Sequence, residues 1–218
     1  MAGIQDKVTF CEDFLGPQTV TASPAGSDLW DIADTSSAGT PTYTVGGTNG
    51  ELTIAFDAQS EIQNVCLFQS NVLNYDIDLI ENIEFRVKTV AALDTATSLA
   101  FGLATARNDA IDSIASHASF RLVGSNAVVC ETDDSVNDQS VAAGTTLVAA
   151  YKKFVIDFSG GTSNVRFYVG DSRVCASTTF DMSNFTTGLQ PYVQLQKTAD
   201  TNTDSVTIDY IKIVSKRA

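Results

Sequence analysis

Between Tyr151 and Thr178 apolar and polar residues alternate with a period of two, and no other stretch restricts the fold of the chain as strongly. Phe154, Ile156 and Phe158 alternate with Lys153, Val155 and Asp157, and Val165, Phe167 and Val169 then alternate with Arg166 and Tyr168. Successive side chains of a strand point to opposite faces, so this spacing predicts strands with one buried face and one wet face. Ser159-Gly160-Gly161 and Gly170-Asp171 supply the positive-φ positions that tight reversals need. The stretch therefore reads as a three-stranded antiparallel meander whose last strand is Arg173 to Ala176.

The rest of the chain repeats this grammar. Strands are expected over Lys7–Leu15, Leu29–Ile32 with the only tryptophan at the core edge, Leu52–Phe56, Val65–Gln69 and Ile83–Val87. Ser98–Ala104 holds Gly102 inside a strand, which predicts a bulge or a close backbone approach. Phe120–Val123 and Ala127–Glu131 form a hairpin around Gly124-Ser125-Asn126, while Thr19–Asp28 and Thr132–Thr146 read as polar loops. In Leu189–Lys197, Pro191 points to an edge or a strand start. In Ser205–Ser215, Val206, Ile208 and Tyr210 share one phase and Ile211 and Ile213 the other, a slip that a β-bulge produces. Thr105–Ser119 is the exception, an excursion loop or a short helix with Ile111 and Ile114 on one face. About a dozen strands at such spacing predict an all-β sandwich of two packed antiparallel sheets, with at most one short helix near 106–116. One domain is expected over 1–218, with 1–6 as an N-terminal arm.

The formal charge of −13 argues against a nucleic-acid partner, which requires a basic footprint. Lys212, Lys216 and Arg217 read as a solvated tail. Cys11, Cys66, Cys130 and Cys175 lie far apart inside apolar runs, without metal-ligand spacing, and are expected to be buried free thiols. MAGIQDKVTF lacks the pattern of a signal peptide, and no run reaches the length of a membrane span. A soluble chain made in a cytoplasm is the expectation.

Candidate chemistry is thin. Asp76-Ile77-Asp78-Leu79-Ile80-Glu81 resembles the ExDxxE signature of β-sandwich glycoside hydrolases of the laminarinase type, whose first carboxylate is the nucleophile and last the general acid. Asp76 stands where that signature has Glu, one methylene short, and Tyr75 is the only near aromatic. The alternative is an acidic loop entering the strand at Ile83. Asp200-Thr201-Asn202-Thr203-Asp204 resembles the start of a calcium loop, but its sixth position is Ser205 and its twelfth Ile211. Asp133, Asp134 and Asp138 make a second acidic loop. His117, the sole histidine, has no nearby Cys or carboxylate partner and reads as structural or solvated rather than catalytic, and Asn184-Phe185-Thr186 is a glycosylation sequon expected to stay unused. No nucleophile motif or phosphate loop occurs. No catalytic, cofactor-binding or metal-binding residue is assigned, and no enzymatic activity is expected.

The order of segments carries a wider resemblance. "CEDFLG" leads to the Trp strand, then come "IEFRVKT", "SLAFGLAT", "ASFRLVGSNAVVCETDD", "KKFVIDFSGGTSNVRFYVGDSRV", "LQPYVQLQK" and "VTIDYIKIV". This resembles the concanavalin-A-like (laminin-G-like) jelly-roll proteins encoded among the head genes of tailed bacteriophages, over Phe10 to Val214. The resemblance implies a virion structural protein, a decoration or cement protein on the capsid exterior that binds the major capsid protein and self-associates as a homotrimer. Its N-terminal arm, Met1 to Asp6, would order on a neighbour. A carbohydrate-binding fibre or spike module with a glycan partner, using Trp30 or Tyr43, is the alternative, and the glycoside hydrolase the second alternative.

Overall fold

The computed structural model describes residues 7–15, 20, 29–46, 50–72 and 75–217. The expected arm over 1–6, and the loop over 19–28 apart from Val20, lie outside the described residues. The strands are β1 (Lys7–Glu12), β2 (Asp31–Asp34), β3 (Thr42–Gly46), β4 (Glu51–Ala55), β5 (Glu61–Phe68), β6 (Tyr75–Asp76), β7 (Ile80–Thr89), β8 (Thr97–Ala104), β9 (His117–Val123), β10 (Ala127–Asp133), β11 (Asp138–Thr146), β12 (Lys152–Asp157), β13 (Arg166–Val169), β14 (Ser172–Val174), β15 (Gly188–Asp200) and β16 (Ser205–Lys216).

They form two antiparallel sheets. The first runs β14-β13-β12-β7-β16-β4-β3, and β1 pairs with the part of β16 that β4 leaves uncovered. The second runs β11-β10-β9-β8-β15-β5-β2, with β6 on the start of β15. The fold is the expected all-β jelly-roll sandwich. The meander forms as β12-β13-β14, though its first connection is longer than a tight turn and contains a 3-10 turn at Thr162–Asn164.

The inward phases make the core. Leu52, Ile54, Phe85, Phe154, Ile156, Ile208 and Ile211 of the first sheet face Leu99, Phe101, Phe120, Leu122, Val193 and Leu195 of the second, all without exposed surface. A run of aromatic contacts crosses between the sheets: Phe85–Phe101 at 5.5 Å, Phe101–Phe154 at 5.1 Å, Phe120–Phe154 at 4.9 Å and Phe120–Phe167 at 5.2 Å. Edge-on geometry of this kind adds about 0.5–1.5 kcal/mol per pair beyond area burial.

Several expectations need correction. Thr132–Thr146 is not a loop: β10 continues to Asp133 and β11 forms an edge strand in which Gln139, Val141, Ala143 and Thr145 are the half-buried phase. Its small polar residues hide a period of two that is apolar on one side only at Val141 and Ala143. Pro191 lies inside β15, a central strand 13 residues long, rather than at an edge. It pairs with Leu103 of β8, and pairing with β5 begins one residue later, at Tyr192. Other expectations hold: the excursion after β8 is a loop with one 3-10 turn at Ile111–Ser113, within the expected loop or single short helix. Gly102 marks a close approach and no bulge, because a Cβ there would stand 2.2 Å from the carbonyl oxygen of Ala118 on β9. The bulge in the last strand is present, as the register with β7 slips between Ile208 and Tyr210.

Candidate functional site

Each sheet has an outer face, and the two are finished in different ways. The outer phase of the second sheet carries Tyr192 and Gln194 on β15, Ala100, Gly102 and Ala104 on β8, and Asn64 and Cys66 on β5, mostly buried. The excursion over residues 105–116 lies across them. Its Ile111 and Ile114 join Ala33, Cys66, Phe68, Ala100, Ala104 and Tyr192 in a second apolar cluster outside the main core. Three strand amides fasten its backbone: Gln194 Nε2 donates to Asn108 O at 2.8 Å, Asn64 Nδ2 to Asp109 O at 3.0 Å, and Gln196 Nε2 to Asp109 O at 3.1 Å. A loop cannot form a ladder with a sheet face, so side-chain amides satisfy the carbonyls that burial would otherwise orphan.

At one end of this face stands a charged group that the sequence did not reveal. His117 Nδ1 donates to Ile114 O at 3.2 Å, and its Nε2 lies 3.7 Å from Glu131 of the neighbouring strand. Arg121 approaches the same carboxylate at 3.4 Å and also pairs with Asp112 of the excursion. Burial alone would raise the Glu131 carboxyl, but His117 and Arg121 outweigh it and hold it below its ordinary value. The histidine thus has a carboxylate partner, placed by the pairing of β9 with β10 and invisible to local spacing. Ser119 lies on the same face, but its buried Oγ is hydrogen-bonded to neither His117 nor Glu131. The group ties the excursion to the sheet and lacks the contact that would activate a nucleophile.

The outer face of the first sheet is open. A groove of about 480 Å³ runs over β12 and β13, lined by Lys7, Glu81, Lys153, Val155, Tyr168 and Asp171 among others. Its charges are paired within the chain: Lys7 with Glu81 at 2.7 Å, Lys153 with Asp171 at 2.8 Å. Next to it, the bulged residue Asp209 pairs with Arg86, whose guanidinium sits 4.6 Å from the Tyr151 ring.

The carboxylate run at Asp76–Glu81 is divided, and of its three carboxylates only Glu81 lines this groove. Asp76 closes its own turn by accepting from Asp78 N at 3.0 Å, Asp78 is exposed in that turn, and Glu81 pairs with Lys7. This is the geometry of an acidic turn leading into β7.

The two acidic loops are likewise committed. Lys197 is fully buried, and its ammonium donates to Asp57 O at 2.8 Å, Gln59 O at 2.9 Å and Asn202 O at 3.1 Å. The calcium-like loop therefore has a cation of its own. Asp200 accepts from Asn202 N at 2.7 Å and Asp204 from Asp94 N at 2.7 Å, so its carboxylates serve the backbone. In the second loop burial would raise the Asp134 carboxyl. The N–H groups of Asn137, Asn184 and Val136 outweigh it and lower the carboxyl to about 2. The Asn184 amide itself donates to Asp134 at 3.1 Å. Among the described residues no three His, Cys, Asp or Glu side chains converge as a metal site.

Trp30 is only 2% exposed and donates to Glu12 at 3.2 Å, so it offers no face to a sugar. Of the four free cysteines, Cys66 and Cys130 are buried as expected, whereas Cys11 is exposed and Cys175 half-buried.

No protein-family profile matches the chain, and no curated protein matches it. Solved structures do. A protein of unknown function, SO2946 from Shewanella oneidensis MR-1, superposes with a TM-score of 0.64 at 12% identity, covering 99% of this chain and 90% of that one. A Bacteroides ovatus GH16 protein of a mixed-linkage glucan locus, solved with a G4G4G3G product, gives 0.63 at 12% identity over 94% and 99%. The carbohydrate recognition domain of Emp47p gives 0.61 at 11% identity over 99% and 97%. At these identities the likeness establishes the concanavalin-A-like jelly-roll fold that the sequence resemblance implied, and nothing finer.

Proposed function

We propose that this chain is a non-enzymatic virion structural protein of a tailed bacteriophage, a decoration or cement protein bound to the outer surface of the capsid shell. Its partners would be the major capsid protein and two further copies of itself in a homotrimer, with no nucleic acid or membrane involved. The observation that carries the reading is that the chain satisfies its own outer faces, one covered by its own excursion and the other left open with the charges of its groove paired internally. Such a body suits rigid surface-to-surface attachment, in which several modest contacts add through multivalency. The order of sequence segments supports the phage setting.

Quantitative mass spectrometry of purified particles tests the proposal. Copies comparable in number to the shell protein, and shells that burst once the chain is stripped with mild chaotrope, are the expected result. Absence from the particle would end it.

A second reading, glycan binding, draws on the open groove and on the likeness in fold to a carbohydrate recognition domain and to a product-bound GH16 protein. Tyr168, rather than Trp30, would then supply the aromatic surface. A handful of copies per particle, together with glycan binding lost in Tyr168→Ala, would favour this reading.

A further inference from the structure

The open edges of the two sheets meet at one place, and each side brings a thiol. Cys130 lies on the inward phase of β10, fully buried, directly across from Val141 of the edge strand β11. Cys175 follows the last residue of β14, the edge of the opposite sheet. Its backbone is left-handed, with φ of 52°, a conformation that crowds any L side chain. In that conformation the Cys175 sulfur packs against the carbonyl oxygens of Val141 and Ala142, each at 3.5 Å. Val141 thus links the two thiols, as the cross-strand partner of Cys130 and the residue whose carbonyl oxygen the Cys175 sulfur touches. The other two cysteines are elsewhere: Cys66 lies in the apolar cluster under the excursion, and Cys11 is exposed on β1.

We propose that Cys130 and Cys175 form a redox-active pair that a small-molecule disulfide oxidises to a covalent staple between the sheets. Cys175, the partly exposed member, attacks first as its thiolate. The S–S bond of the oxidant breaks, one small thiol leaves, and a mixed disulfide remains on Cys175. Cys130 then gives up its proton and attacks the Cys175 sulfur, expelling the second small thiol. Two protein thiols lose two protons and two electrons, and the oxidant is reduced to two thiols. Burial raises both thiols above their ordinary value, so the reaction is slow near neutral pH and quickens as pH rises. In a reducing cytoplasm the pair stays open.

The test incubates the native protein with oxidised glutathione at about pH 8.5, near the ordinary thiol value. The readouts are intact mass, non-reducing peptide maps and thermal melting, with circular dichroism confirming that the fold persists. Expected are a loss of about 2 Da for the two hydrogens removed, a linked Cys130–Cys175 peptide, and a Tm several degrees higher that dithiothreitol reverses. Cys175→Ser, a change at a half-buried surface position, should abolish both the mass loss and the Tm gain. A glutathione adduct that stays on Cys175 without linkage, a linkage through Cys11 or Cys66, or no reaction at all would overturn the proposal.

Discussion

Lys197 shows how much one buried side chain can organise. A fully buried ammonium is tolerated because three backbone carbonyls replace its water and the Phe56 ring flanks it at 5.4 Å. Lys197→Met should cost about 1–3 kcal/mol in denaturant unfolding, since it removes the donor from three part-buried carbonyls. Asp134 plays the opposite part with an anion. Its folded-state value of about 2 lies below the ordinary 3.8, so the unfolded chain takes up this proton first as the solution is acidified. Its contribution to stability is therefore complete above about pH 4 and is lost as pH falls through about 2. Asp57 behaves alike: the N–H of Thr40 above all, with that of Gln59, lowers its carboxyl to about 2. Asp134→Asn should reduce the proton uptake of acid unfolding by up to one proton and leave the share of Asp57. An unchanged pH slope in urea titrations between pH 2 and 5 would contradict the assignment.

Among the described elements, the excursion over residues 105–116 departs from the period-two pattern, and its backbone bonds include Thr105 N to Ser116 O and Ser113 N to Ala110 O. Its grip on the sheet combines Ile111 and Ile114, the amides of Asn64, Gln194 and Gln196, and the contacts of His117 and Arg121. Ile111→Ala with Ile114→Ala should remove about 2–5 kcal/mol per site if the excursion stays seated. If it detaches, the loss is smaller and proteolysis within 105–116 rises sharply. Limited proteolysis beside chemical denaturation separates the two outcomes, and no change in either would mean that the cluster is not what seats the loop. What was legible here follows from physics. Ile111 and Ile114 do share a face, because three-residue spacing brings side chains together in a single 3-10 turn as well as in a helix. The bulge at Asp209 was readable because a register slip must reverse the buried phase. The ion pair of that residue with Arg86 was not, since partners on different strands leave no local signature. His117 and Glu131 were missed for the same reason. β11 was missed because an edge strand buries too little for its alternation to stand out.

For the molecule as a whole, the two-sheet architecture was readable from the number and spacing of alternating runs, while the order of strands within each sheet was not. That order has one feature with consequences in time. β15 lies between β8 and β5 in one sheet, β16 lies between β7 and β4 in the other, and the two follow one another in the chain. A single hairpin thus supplies an interior strand to each sheet. Chains cut before Gly188 should show no cooperative melting and little amide protection, although fourteen of the strands remain. Cooperative melting of such a fragment would refute this. During synthesis, then, a ribosome presents a long stretch of nascent strands that have no interior to close upon. Folding is withheld until the hairpin emerges, and broken or unfinished copies are left for proteases.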